Sequence, residues 1–219
     1  MRIGIVGTGR IGGNCARRFA KGGHEVMLSG RDLAKLEPLA AEIGDVATVG
    51  TPAEAAEFGE VVVFAVPWDG FDDAVASAGD LDGKIVIDTT NQYGSSEMPA
   101  EGETAASFHA VRVDGARYTK SFNTLTSTFQ AEVAGRPEEE RAVQWVCGDD
   151  VAAKQVVMGL IDDAGYAPVD IGRNEDAAVM EAPRRPGAVY GEEYRLPDAE
   201  KVVEAVSDGR EIPPTPTYS

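Results

Sequence analysis

Short apolar runs and amphipathic stretches alternate along this chain with little slack between them. The run Ile3 to Val6 reads as a strand, and behind it, from about Arg10 to Lys21, Ile11, Cys15 and Phe19 recur at the i, i+4, i+8 spacing of one helical face. Gly22-Gly23 stops that helix, and Glu25 to Ser29 supplies a second strand. Leu33, Leu36, Ala40 and Ile43 share a face of the next helix, which ends at Gly44 and which Pro38 should kink or shorten. Val46 to Val49 predicts a third short strand, and Thr51-Pro52-Ala53-Glu54 combines a capping box with proline at the first helical position. Val61 to Val66 is an unbroken apolar run, the pattern of a strand covered on both faces. Phe71, Ala74, Val75 and Ala78 then predict a helix and Lys84 to Asp88 a strand. Ala105, Phe108 and Val111 predict another helix before the strand Arg117 to Phe122.

Strands separated by helices of this length pair in parallel through right-handed crossovers, so the expected fold is α/β, a doubly wound (Rossmann) mostly parallel sheet. Past Gly135 come strand Val143 to Cys147, helix Val151 to Ala164 and strand Ala167 to Ile171, which either extend this sheet or form a small second lobe. Regularity fades from Arg173, and the Pro and Gly content of Met180 to Gly191 makes it a loop. Val202, Val203 and Val206 predict a short last helix, and Ile212 to Pro216 an extended tail. The expected division is a Rossmann unit over residues 1–125 and a C-terminal extension over 126–219, continuous with it. In such sheets ligands lie outside the carboxyl ends of the strands. The site candidates are then Gly7 to Gly12, Ser29 to Arg31, Ala65 to Trp68, Asp88 to Asn91 and Phe122 to Thr124.

The first of these segments, Gly7-Thr8-Gly9-Arg10-Ile11-Gly12, is a dinucleotide fingerprint in its strand-turn-helix context. Gly7 permits the tight turn, Gly9 lets backbone amides approach a pyrophosphate, and Gly12 lets the helix pack close on the strand. The helix N-terminus offers the phosphates its unpaired amides and positive dipole end. An NAD-selective site carries Asp or Glu about 20 residues on, where the carboxylate meets the ribose hydroxyls. Here that place holds Ser29-Gly30-Arg31. A hydroxyl followed by a guanidinium suits a 2′-phosphate, and Lys35, four residues beyond Arg31, adds a cation on the same face. NADP(H) is the favoured cofactor; the plainer alternative leaves Arg31 and Lys35 as solvated helix charges and turns Asp32 inward to serve NAD. Pro67 and Trp68 are placed to wall the nicotinamide, with packing the alternative for Trp68. Asn91 and Asn123 suit ribose or carboxamide hydrogen bonds, or merely close turns.

The chain has 219 residues, is 43% hydrophobic, and carries a net charge of −17 with a pI near 4.4. That size suits one domain, or one domain with a small appendage, and that charge argues against nucleic acid or an anionic membrane as a partner. The cationic clusters Arg17-Arg18, Arg31 with Lys35, and Arg184-Arg185 stand out against it. Cys15 and Cys147 lie where periodicity predicts burial, and neither they nor His24 and His109 have metal-ligand spacing, so no metal is expected. No basic leader precedes the first strand and no apolar run has membrane-spanning length, so a cytoplasmic location is expected.

Five segments together resemble the NADPH-dependent reductases of the deazaflavin coenzyme F-420 (F420), related to the cofactor domain of pyrroline-5-carboxylate reductase. They are Gly7 to Gly12, Ser29-Gly30-Arg31, Ala65-Val66-Pro67-Trp68, Asp88-Thr89-Thr90-Asn91, and Lys120-Ser121-Phe122-Asn123-Thr124. The resemblance covers most of residues 1–125, with Ser-Gly-Arg in place of the more familiar Gly-Ser-Arg. It implies that the first two segments hold the pyrophosphate and the 2′-phosphate, that the segments at Ala65 to Trp68 and Phe122 to Thr124 border the nicotinamide, and that the protein is a homodimer.

The expected function is hydride transfer between NADP(H) and a small redox co-substrate, a deazaflavin or flavin-like acceptor. Carbonyl reduction needs a positioned acid, whereas a deazaflavin takes the hydride into a conjugated ring and is protonated from solvent. The site segments show no Ser-Tyr-Lys set and no His-carboxylate pair, so no catalytic residue is assigned. Lys120, His109, Tyr190 and Asn123 are the groups folding would have to bring into reach, with Lys120 as a strand-end surface charge the equal alternative. The competing expectations are a reductase of a small imine or ketone and a non-enzymatic NADP(H) sensor. Arg184 and Arg185, with Tyr190 and Tyr194, belong either to a lid meeting an anionic acceptor tail or, more simply, to a dimer contact or solvent loop.

Overall fold

The computed structural model describes residues 1–218. Strands β1 (Arg2–Val6), β2 (Glu25–Ser29), β3 (Ala47–Gly50), β4 (Val61–Phe64), β5 (Ile85–Asp88), β6 (Arg117–Ser121), β7 (Val143–Cys147) and β8 (Ala167–Gly172) form one sheet. Its order is β3-β2-β1-β4-β5-β6-β7-β8. Helices α1 (Arg10–Lys21), α2 (Glu37–Ile43), α3 (Pro52–Phe58), α4 (Phe71–Ala78), α5 (Ala105–Ala110), α6 (Ser127–Val133), α7 (Val151–Asp163) and α8 (Leu196–Ser207) cover it. The expected doubly wound α/β sheet is what forms, and the strands beyond Gly135 extend it.

Strand alternation divides the core into two layers. Ile3, Ile5, Val26, Leu28, Val61, Val63, Ile85 and Ile87 face one side, where they meet Phe19 of α1 and Leu160 of α7. Val62, Phe64, Val86, Val143 and Trp145 face the other, against Phe71 of α4 and Val202 of α8. Both cysteines are buried, as their helix and strand positions predict. Burial outweighs a bond within its own helix and pushes the Cys15 thiol up to about 12.

Register aligns the carboxyl ends. Val6 pairs with Ser29 and with Phe64, Phe64 with Asp88, and Asp88 with Lys120. The segments leaving these strands therefore share one edge of the sheet.

Several local expectations are corrected. The helix drawn through Leu33 to Ile43 splits into a 3-10 turn, Leu33–Lys35, and α2, because Pro38 fits only the first turn of a helix. The strand from Val61 ends at Phe64, short of Val66, as the chain turns toward Pro67. α6, capped by the Thr126 side chain, was not anticipated, and α8 is a full helix of 12 residues. β7 runs antiparallel to β6, through the pairs Lys120 with Cys147 and Ser121 with Val146, while β8 is parallel to β7. Hydrophobic periodicity tells which faces of a strand are covered and is silent on its direction. No helix among the described residues is long and apolar enough to cross a membrane.

Candidate functional site

The β1 to α1 turn is built by three glycines under different constraints. Gly7 has φ +93°, and a Cβ there would lie 2.6 Å from the Ala65 carbonyl oxygen. Gly12 faces Gly7, whose carbonyl oxygen would be 2.3 Å from an added Cβ, so α1 packs directly on the turn. Gly9 is exposed, and a Cβ there would meet nothing within 4 Å. The turn is pinned from below, since the Gly7 and Thr8 amides and the Thr8 hydroxyl all donate to the Ser29 carbonyl oxygen at 3.0–3.1 Å.

Gly9 is the N-cap of α1, with no side chain bonded to the helix start and no acidic residue in the first turn. The first amides of a helix lack partners within it. Here they open toward free space over Gly9, beside the exposed side chain of Arg10 and the half-buried Ile11. Such an end suits a phosphorylated ligand in geometry and in charge, and on that ground the chain's residues fit a dinucleotide.

At the end of β2 the Ser29 side chain is fully buried and its hydroxyl donates to the Ile5 carbonyl oxygen at 3.0 Å. Strand alternation turns this hydroxyl to the covered side of the sheet, so what the end of β2 presents is backbone and not the Ser29 side chain. Gly30 follows, and Arg31 is exposed, with no ion-pair partner among the described residues. Lys35 is exposed and lies 3.1 Å from Asp32. Asp32 is also exposed and does not turn inward.

After β4, Ala65 and Val66 are half-buried and Pro67 is exposed at the edge. Trp68 is 3% exposed, donates its indole N–H to the Glu97 carbonyl oxygen at 3.0 Å, and stacks on His109 with centroids 4.1 Å apart. Of its two readings, nicotinamide wall and packing, this burial favours packing; Pro67 and Val66 are what the edge presents. After β5 and β6, Asn91 donates to the Asn123 carbonyl oxygen at 2.9 Å, and Asn123 donates to Asn91 Oδ1 at 3.3 Å and to the Met180 carbonyl oxygen at 2.8 Å. The two amides thus lock the ends of neighbouring strands together. Asn123 Oδ1 and Thr124 Oγ1 are buried there without a partner.

Beneath this edge lies a cluster the sequence did not reveal. Asp88 Oδ2 accepts from Tyr118 Oη at 2.7 Å and from Lys120 Nζ at 3.2 Å, and lies 2.9 Å from His109 Nδ1. Lys120 also donates to the Thr90 carbonyl oxygen at 2.7 Å, and Asp88 Oδ1 accepts from the Thr90 amide at 2.7 Å. Burial alone would raise the Asp88 carboxyl, but the charge of Lys120 and the bonds from His109 and Tyr118 outweigh it and hold it well below the usual carboxylate range. Burial and the Asp88 charge push the Tyr118 phenol upward. Lys120 is therefore no surface charge, for it has no exposed area. A His-carboxylate pair does exist, but His109 is closed between Phe71 and Trp68, with ring centroids 3.7 Å and 4.1 Å away. This network shapes the Thr89 to Asn91 segment from within and does not reach the edge. The sequence carried little signal for it, since Arg117-Tyr118-Thr119-Lys120-Ser121 has no apolar run and only the covered sheet encloses Lys120.

The C-terminal loop closes over the same edge. The Gly191 amide donates to the Thr124 carbonyl oxygen at 2.8 Å, and Glu181, buried, accepts from the Ala105 and Ala106 amides at 2.9 Å. Arg184 pairs with Glu192 at 2.6 Å, and Arg185 donates to the Glu181 and Pro183 carbonyl oxygens. Both guanidinium groups fold their own loop. Tyr194 is buried edge-on against Trp145, with centroids 5.5 Å apart.

Comparison with known proteins agrees with this geometry. Residues 2–92 match the family described as NADP oxidoreductase, coenzyme F420-dependent. Metalloreductase STEAP3 of Rattus norvegicus is 27% identical over 181 residues, which are 83% of this chain and 36% of that protein; the chain spans about a third of its length. The F420-dependent NADP reductase of Methanothermobacter thermautotrophicus is 29% identical over 202 residues, covering 83% of this chain and 85% of the relative. A hypothetical protein of Sinorhizobium meliloti has the same fold, with TM-score 0.77 and 25% identity over 90% of this chain and 95% of that one. The resemblance read from the five segments is borne out at the level of the family.

Proposed function

We infer that this chain, whose residues 2–92 carry the match to the coenzyme F420-dependent NADP oxidoreductases, is an NADP-dependent oxidoreductase that passes a hydride between NADP(H) and a deazaflavin (F420) or flavin-like acceptor. The observation that carries the reading is the uncapped start of α1 beneath an exposed Gly9 with open space above it. When bound, the nicotinamide supplies or receives the hydride. The chain's own residues bind and orient. Gly7, Thr8, Gly9, Arg10, Ile11 and Gly12 hold the pyrophosphate by backbone amides and the helix dipole. Gly30 gives the 2′-phosphate room beside Arg31, and Lys35 adds charge once drawn from Asp32. Ala65, Val66 and Pro67 flank the nicotinamide, and the Asn91–Asn123 pair fixes the edge on which the ring and ribose rest. Holding two rings near contact distance removes much of the entropic barrier without a protein acid.

Residues 1–125 are taken as the cofactor unit and 126–219 as an extension that shares its sheet, and the protein as a cytoplasmic homodimer. The shared sheet supports the first point and the family resemblance the second. The test is optical. NADPH mixed with oxidised F420 and the purified protein should bleach the visible absorbance of the deazaflavin while NADPH is consumed. NADPH oxidation by imines or ketones alone, with F420 untouched, would replace the acceptor assignment.

A further inference from the structure

The long loops after β5 and after Met180 contain no strand and one short helix, yet they converge on one place. The Tyr93 amide donates to the Asn91 carbonyl oxygen at 2.6 Å, so Tyr93 leaves the edge by a tight turn directly after Asn91. Tyr190 is held by the bond from its neighbour Gly191 to Thr124, directly after Asn123. Their rings meet with centroids 6.4 Å apart and planes inclined at 57°. Tyr93 is 59% exposed, a large aromatic face left in water beside the junction that borders the proposed nicotinamide position. In the segment to which the Gly191 amide is bonded, Asn123 Oδ1 and Thr124 Oγ1 are buried without hydrogen-bond partners. Arg185 is spent on backbone carbonyls and Arg184 is paired with Glu192, so this corner presents an exposed aromatic ring beside a paired cation.

We propose that Tyr93 and Tyr190 form the acceptor subsite, and that its ligand is a planar conjugated ring stacked on Tyr93 with a polar edge turned toward Tyr190. The assignment rests on the hydride-transfer reading and deepens it. A phenol is protonated at neutral pH and can donate; burial, then the hydrogen bond with Tyr93, only push the Tyr190 phenol further up. A ring on Tyr93 gains stacking, and a small aliphatic imine or ketone does not.

The experiment uses F420 as the probe, with KM from NADPH-dependent bleaching, Kd from quenching of F420 fluorescence, and a separate NADPH titration. Tyr93→Ala should raise KM and Kd for F420 roughly tenfold or more, as loss of one stacking partner does, and leave the NADPH affinity where it was. Tyr93→Phe should recover most of the loss, since the ring remains. Tyr190→Phe should raise the F420 KM as well, through the lost donor. Wild-type protein that turns over F420 while Tyr93→Ala keeps its KM and Kd within twofold overturns the subsite and leaves the hydride-transfer reading standing. Wild-type protein that neither binds nor reduces F420 overturns both.

Discussion

Gly9 and Gly12 lie one helical turn apart and answer to opposite demands. An alanine methyl at Gly12 has a carbonyl oxygen at 2.3 Å, whereas one at Gly9 has nothing within 4 Å. Gly12→Ala should lower the melting temperature and take cofactor binding with it. Gly9→Ala should melt like the wild type yet lose both NADPH and NADH, because its methyl occupies the place of the pyrophosphate; calorimetry showing unchanged affinity would mean the turn has been misread. Arg31→Ala should weaken NADPH far more than NADH. A lost charged hydrogen bond is worth roughly 1.5–3 kcal/mol, about 10- to 100-fold in Kd, and equal losses for the two coenzymes would remove Arg31 from the 2′-phosphate. At this scale the sequence was legible where a residue's backbone decides its role, as in the glycines. It was misleading where the side chain decides: the hydroxyl of Ser29 and the indole of Trp68 are chemically suited to ligands, and only packing shows that both are turned inward.

At the scale of elements, α3 shows how completely a local signal can specify structure. The Thr51 side chain accepts from the Glu54 amide at 3.2 Å, and the Glu54 carboxylate accepts from the Thr51 amide at 2.7 Å, with Pro52 opening the helix. Those bonds hold the Glu54 carboxyl below its ordinary range. Thr51→Ala should cost about 1 kcal/mol, a fall in Tm of about 2–4 °C for a chain of this size, read by thermal unfolding; no change would deny the cap its role. Capping boxes and glycine stops act over three or four residues, which is why α3 begins and α1 ends where the sequence puts them. Pro38 acted as expected in shortening a helix. The direction of β7 had no such local source, since it depends on where the chain after α6 comes back to the sheet.

For the molecule as a whole, the Asp88 cluster joins β5, β6 and α5 behind the proposed site. Lys120→Met would strand a buried carboxylate and should destabilise by about 3–5 kcal/mol at neutral pH. The pH dependence follows from the sign of the shift. A carboxyl held below its unfolded value stabilises the fold above the ordinary carboxylate range of about 4, and the gain is lost only as pH falls through the depressed folded value. In Lys120→Met, burial faces less opposition and the carboxyl rises, so the deficit should shrink as acid protonates it. Tm measured between about pH 4 and pH 7 checks this, and a deficit constant over that span would deny Asp88 its dependence on Lys120. By itself the sequence determined most of the succession of strands and helices, the glycine turn before α1 and the sheet edge that carries the proposed site, because periodicity, capping and glycine geometry act between near neighbours. Tertiary structure alone decided which polar groups are enclosed, which way β7 runs, and that Asn91 meets Asn123, Asp88 meets Lys120 and Tyr93 meets Tyr190. Those pairs are far apart along the chain, and only closure of the sheet and its loops sets their distance.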